Sequence, residues 1–179
     1  MATWGTRGLR GSTLEDMINH TNDLYREHNL ALIQKVPTPI KPIQIDKNSG
    51  KITLAYFDMK STVDYIGVVQ GIPVCFDAKE IARTTFSLQN IHRHQYEFMK
   101  QFEKQGGIAF ILVYFHNFDE IIYIPFKDID KFFNRADGGG RKSFTYQELD
   151  HNYTLKDRST YMVHYLEMLN KDLGGRSDD

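Results

Sequence analysis

Residues 108–115, Ile-Ala-Phe-Ile-Leu-Val-Tyr-Phe, are apolar almost without interruption. A strand with one face in water alternates apolar with polar side chains, whereas a continuous apolar run needs cover on both faces. This run therefore predicts a strand enclosed between helices. The fold class expected is α/β, a mixed central β-sheet flanked by helices. At 179 residues the chain is long enough for one such domain. No repeat or low-complexity linker marks a boundary, so residues 1–179 are taken as a single domain, with a frayed tail at 174–179. The 13% aromatic content argues against general disorder.

Charge is less informative. Lys plus Arg is 22 and Asp plus Glu is 23, a net of −1, so a nucleic-acid role would need segregated charge. Lys35, Lys41, Lys47, Lys51 and Lys60 fall in one stretch opposed only by Asp46 and Asp58. That is the pattern of a solvated face as much as of a phosphate-binding one. No apolar run approaches the length of a membrane span, and residues 1–11 lack the apolar segment of a secretion signal. Cys75 is the single cysteine, which excludes an intrachain disulfide and a cysteine-based zinc cluster. A cytoplasmic protein is expected, with no membrane partner.

Ser12 and Glu15 form an S-x-x-E capping box, and the apolar spacing that follows predicts a helix over 12–28. Residues 30–36 read as a short strand. Pro37, Pro39 and Pro42 then bar the next segment from a central strand. With turn chemistry at Asn48-Ser49-Gly50, residues 37–57 read as a projecting β-like arm. Residues 64–69 and 73–79 are two strands of a hairpin turning at Gln70-Gly71. A second helix is expected from Leu88 to Phe102, a strand at 120–126, a short helix at 128–134, a flexible basic loop at 138–142 and a last helix at 159–173.

The sharpest constellation lies on the hairpin. Asp77 and Lys79, two apart on a strand, share a face. Asp64 begins the partner strand at the same end. Two carboxylates meeting at one sheet edge repel unless a cation sits between them, and hard oxygen ligands beside a lysine suit Mg²⁺, with Mn²⁺ as a substitute. On spacing alone, a surface hairpin with ordinary exposed ion pairs is the commoner arrangement of this pattern. Other candidates are weaker. His92 and His94 would point apart on a helix. Gly138-Gly139-Gly140-Arg141-Lys142-Ser143 lacks the spacing of a phosphate loop. Cys75 reads as inert core. Gln95 interrupts an apolar helix face and, if buried, needs partners. It serves either core satisfaction or the site.

An ordered set of motifs resembles the RecU-type Holliday junction resolvases. They are Arg10-Gly11-Ser12-Thr13-Leu14-Glu15-Asp16, Lys35-Val36-Pro37-Thr38-Pro39, Ala55-Tyr56-Phe57, Ser61-Thr62-Val63-Asp64-Tyr65, Phe76-Asp77-Ala78-Lys79-Glu80, Phe86-Ser87-Leu88-Gln89-Asn90-Ile91-His92-Arg93-His94-Gln95 and Gly140-Arg141-Lys142-Ser143. The resemblance implies a restriction-endonuclease-like PD-(D/E)xK nuclease, a homodimer, Mg²⁺, and paired incisions in four-way DNA junctions during recombination and repair. It assigns Asp64, Asp77 and Lys79 as catalytic acids and lysine, with the two aspartates as metal ligands. It also implies Glu15 as a helix acid near the metal, Gln95 as a helix glutamine close to the site, and the arm as a stalk entering the junction centre. Contacts to DNA are expected from Arg10, Lys35, Tyr56, Phe57, Arg141 and Lys142, and recombination proteins are possible partners. Asp77 stands where cellular members commonly carry Glu, so its carboxylate reaches one methylene less. The rival readings are an endonuclease for flaps, forks or duplex, and a junction-binding module that does not cut.

Overall fold

The computed structural model describes residues 13–57, 62–156 and 160–176. Six strands form one mixed sheet in the order β1-β4-β5-β7-β8-β10: β1 (Leu32–Lys35), β4 (Tyr65–Val69), β5 (Ile72–Ile81), β7 (Ile108–Phe115), β8 (Glu120–Pro125) and β10 (Thr154–Leu155). Only β5 and β7 run parallel; the other neighbours are antiparallel. The crossover between β5 and β7 contains α2 (Arg93–Lys104). The helices α1 (Thr13–Glu27) and α4 (Tyr165–Arg176) pack on one face of the sheet, α2 and α3 (Phe126–Asp137) on the other.

The long apolar run behaves as its composition demands. On β7, Ile108, Phe110 and Leu112 enter the core under α1 and α4, while Ala109, Ile111, Val113 and Phe115 enter the core under α2 and α3. On the first face a ladder of stacked rings crosses four strands. Centroids are 4.7 Å apart for Tyr65–Phe76, 4.6 Å for Phe76–Phe110 and 4.3 Å for Phe110–Tyr123. Each such pair is worth about 0.5–1.5 kcal/mol beyond its buried area.

The hairpin that carries the candidate chemistry forms in the expected register, with Val69 opposite Ile72 and Tyr65 opposite Phe76. Its two loop residues both have positive φ, +49° at Gln70 and +88° at Gly71, as in a two-residue turn matched to strand twist. Gly67 lets β1 lie close on β4. A Cβ there would meet the Leu32 carbonyl oxygen at 2.1 Å and Ile33 Cα at 2.8 Å. Gly67→Ala should therefore push the edge strand away and cost about 1–3 kcal/mol. A urea midpoint equal to that of the natural chain would contradict this close approach.

The arm is a separate two-stranded ribbon of β2 (Ile40–Ile45) and β3 (Ile52–Phe57). Pro42 is accommodated where the pairing register shifts, between Pro42 and Gln44. The tip is closed by Asp46, which accepts from Asn48 N–H at 3.0 Å and from the Ser49 hydroxyl, with Gly50 at φ +68°.

Several expectations need correction. The second helix begins at Arg93, five residues later than Leu88. Leu88–Asn90 is instead a single 3₁₀ turn capped by Ser87, followed by extended Ile91 and His92. The third helix is longer than expected, and the last begins at Tyr165 rather than near Ser159, a residue outside those described. Three short strands, β6 (Thr85–Ser87), β9 (Ser143–Thr145) and β10, have too few residues to show a period. Residues 177–179 of the tail expected to fray lie outside those described, whereas residues 174–176 are helical. They belong to α4, and Arg176 bonds Glu103 at 2.6 and 3.0 Å and the fully buried Asp172 at 3.0 Å. The glycine loop at 138–140 is held too: Gly138 and Gly140 N–H donate to the Asn134 and Arg135 carbonyls, and Gly139 takes φ +86°.

Candidate active site

Strand alternation and a two-residue turn together create the site. Asp77 sits in the middle of β5 with no exposed surface. The register places Asp64, just before β4, directly across from it. The two residues brace one another through the backbone. Asp64 N–H donates to Asp77 Oδ1 at 2.9 Å, and Ala78 N–H donates to Asp64 Oδ2 at 3.0 Å. Lys79 projects on the same side as Asp77, and its Nζ lies 2.9 Å from Asp77 Oδ2 and 3.4 Å from Asp64 Oδ2. The ammonium therefore lies against both carboxylates. This is not an ordinary exposed ion pair, because the side chains of Lys79 and Asp64 are only 21% and 25% exposed.

Burial sets the protonation behaviour. Removal from water pushes the Asp77 carboxyl from 3.8 up to about 6, against the opposing pull of Lys79 and with a further push from Asp64. Burial draws the Lys79 ammonium down, but Asp77 and then Asp64 outweigh it, so the lysine is held above its ordinary value.

The donor set fits a hard divalent cation. Asp77 Oδ2 is buried and faces the Lys79 ammonium at 2.9 Å. Two carboxylates from adjacent strands match the way Mg²⁺ is commonly held, with waters and substrate phosphate completing its shell. No all-protein cage of three or more His, Cys, Asp or Glu exists among the described residues.

Glu15 and Gln95 take other partners. Glu15, in the first turn of α1, meets Lys35 at the end of β1, with Nζ to Oε2 at 2.5 Å. The next residue, Val36, donates its N–H to the Asp64 carbonyl at 2.8 Å, which ties this pair to the Asp64 backbone. Gln95 is buried, and its Oε1 accepts from His92 N–H at 3.0 Å, so its side chain completes the start of α2. His92 is extended rather than helical, and this lets the His92 and His94 rings stack at 5.3 Å. They do not diverge as two helical residues would.

The expected DNA contacts are dispersed. Tyr56 and Phe57 stand exposed on β3, Phe57 at 76%. Arg141 is paired with Glu148 at 3.0 Å, and Lys142 is exposed. Glu148 also holds Arg135, whose hydrogen bond is the first cause that keeps its carboxyl at about 2. Arg10 lies outside the described residues. Cys75 is buried, and burial pushes its thiol well up, as for an inert core residue. No helix among the described residues is long and apolar enough to cross a membrane. Two features were missed from sequence, the Ala78 N–H brace and the Lys35–Glu15 pair. Neither leaves a local signal, since each joins residues 14 or more positions apart.

Comparison with known proteins adds the family. Residues 9–171 match the family described as RecU, Recombination protein U. A Holliday junction resolvase RecU of Bacillus cytotoxicus is 42% identical over 154 residues, covering 84% of this chain and 77% of that one. The protein of the same name from Bacillus thuringiensis is 40% identical over 169 residues, covering 92% and 84%. The solved structure of Hjc, a Holliday junction resolvase of Archaeoglobus fulgidus, has a TM-score of 0.33 at 12% identity. It covers 63% of this chain and 74% of that one, a likeness too slight to carry an argument.

Proposed function

This chain belongs to the RecU family, and from that premise we propose that it resolves four-way DNA junctions by paired symmetric nicks, as a Mg²⁺-dependent homodimer. The observation that supports this most is the braced Asp64–Asp77–Lys79 group, which joins two metal-competent carboxylates to a cation on one face of the sheet. Asp64 and Asp77 hold the ion. Mg²⁺, or Mn²⁺ in its place, supplies Lewis-acid polarisation of the scissile phosphate. Lys79 orients the attacking water and stabilises the negative charge that develops on the phosphoryl oxygens. Glu15 lies at the edge of this machinery through its Lys35 partner. Gln95 acts on it by fixing where α2 begins.

A junction has two-fold symmetry, and two identical sites across a dimer axis suit paired cuts on opposing strands. The exposed apolar side chains of the ribbon, Ile43, Ile45, Tyr56 and Phe57 among them, suit contact with opened bases or with a second copy. Arg10, Lys35, Arg141 and Lys142 contact phosphates. For Lys35 and Arg141 this requires exchanging a carboxylate partner for DNA.

The test is incubation of the purified protein with a synthetic mobile four-way junction, a flap and a linear duplex, with and without Mg²⁺, resolved on a denaturing gel. Opposed nicks in the junction alone, only with Mg²⁺, are expected. Equal cutting of the duplex would make it a general endonuclease, and junction binding with no cutting in either metal would make it a binding module.

A further inference from the structure

Glu80 follows Lys79 and so points to the opposite face of the sheet, the face on which α1 packs. It reaches the start of that helix, where Leu14 N–H donates to Glu80 Oε1 at 2.6 Å. The first N–H groups of a helix have no partner within it, and the helix dipole favours a negative charge at that end. A carboxylate from the sheet therefore fastens the first turn of α1 to the strand that carries Asp77 and Lys79. The other oxygen, Oε2, lies 2.7 Å from Nε2 of His116. That residue continues the β5–β7 ladder through its N–H on the Ile81 carbonyl at 2.9 Å. Glu80 is thus gripped from two sides, and its side chain is only 17% exposed.

We infer that Glu80 is a positioning residue of the nuclease: it sets the first turn of α1, and so Glu15, relative to Asp64, Asp77 and Lys79. Glu15 is the residue after Leu14, so a shift of the anchored amide moves the acid with it. The Lys35–Glu15 pair is a second tether to the same turn, from the end of β1. Held at Leu14 by β5 and at Glu15 by β1, the turn keeps little freedom. His116 orients Glu80 and has no part in the chemistry.

The inference rests on the nuclease reading of the site, and the test separates the two. Junction cleavage in Mg²⁺ is measured for the natural protein, Glu80→Ala, Glu80→Gln, Glu15→Gln and the Glu15→Gln/Glu80→Ala double variant. Amide hydrogen exchange across residues 13–19 is followed on the metal-free proteins. Glu80→Ala should lower kcat roughly 10–100-fold, the range typical of groups that orient metal-site residues, with KM little changed and first-turn exchange accelerated. Glu80→Gln should recover most of the rate, because its amide oxygen still accepts from Leu14. In the Glu15→Gln background, Glu80→Ala should change the rate by less than about twofold, since its effect passes through Glu15. Multiplying losses in the double variant, or unchanged exchange in Glu80→Ala, would overturn the inference. Failure of the nuclease reading shows separately, as junctions left whole by the natural protein. The exchange rates then still decide whether Glu80 anchors α1.

Discussion

Metal-free protein carrying Asp77→Asn is expected to be more stable than the natural chain at pH 7.5, by up to about 3 kcal/mol, while losing its nuclease activity. Both effects come from one buried carboxyl. Its folded-state pKa is raised from 3.8 to about 6, with burial as the main cause. A carboxyl shifted upward favours the folded state fully while it is protonated, below the unfolded pKa. That stability is lost as pH rises through the folded pKa. Two units at 1.36 kcal/mol each set the figure of about 3 kcal/mol. Asparagine never ionises and avoids the loss. Urea midpoints should therefore diverge between pH 4 and 6 and run parallel above pH 7. A gap independent of pH, or a less stable Asn variant at pH 7.5, would show that Asp77 is not strained in its charged form. Cleavage should fall roughly 10³-fold if Asp77 holds the ion as proposed, since a metal ligand supports several kcal/mol of transition-state stabilisation. Residual cutting above about a tenth of the natural rate would be too fast for that role.

The ribbon offers the second large effect. Tyr56 pairs with Lys41 across it, so residues 42–55 can be replaced by Asn-Gly, a two-residue turn that closes the strands at that pair. Together with Phe57→Ala, this should weaken junction binding strongly and leave duplex binding nearly unchanged. Bases at an open junction centre can stack on aromatic faces at roughly 1–3 kcal/mol each, and a closed duplex presents none. The sheet and the Asp64–Asp77–Lys79 group should survive, because β2 and β3 form a sheet of their own. Gel shifts on both DNAs, beside light scattering for mass, decide the matter. Equal losses on both DNAs by a protein of unchanged mass would refute the junction-reading role. A fall to half the mass with loss of both would make the ribbon a dimer element.

Much of this was legible in the residues. The doubly covered β7, the Gln70-Gly71 hairpin and the proline-barred arm each follow from patterns within a few positions of one another. So does the shared face of Asp77 and Lys79, because strand alternation is a local rule. With a two-residue turn, the position of Asp64 opposite Asp77 follows by counting. Start points of helices were less legible. Ser87 capped a 3₁₀ turn where apolar spacing pointed to a continuous helix at Leu88, and α4 began only at Tyr165.

By itself the sequence determined the class of fold, the hairpin and the three residues that meet on it, since each rests on the short-range geometry of a strand and a turn. Only the tertiary structure decided how those residues behave. Packing on the face of the sheet that carries Cys75 and Asp77 removes Asp77 from water, and this raises its pKa. Glu15 was drawn to Lys35, Gln95 to the start of α2, and Glu80 to the start of α1. Arg176 was fixed by Glu103, 73 positions away. Desolvation and hydrogen bonding act through space, and which distant groups come within 3 Å is settled only when the sheet and its helices have packed.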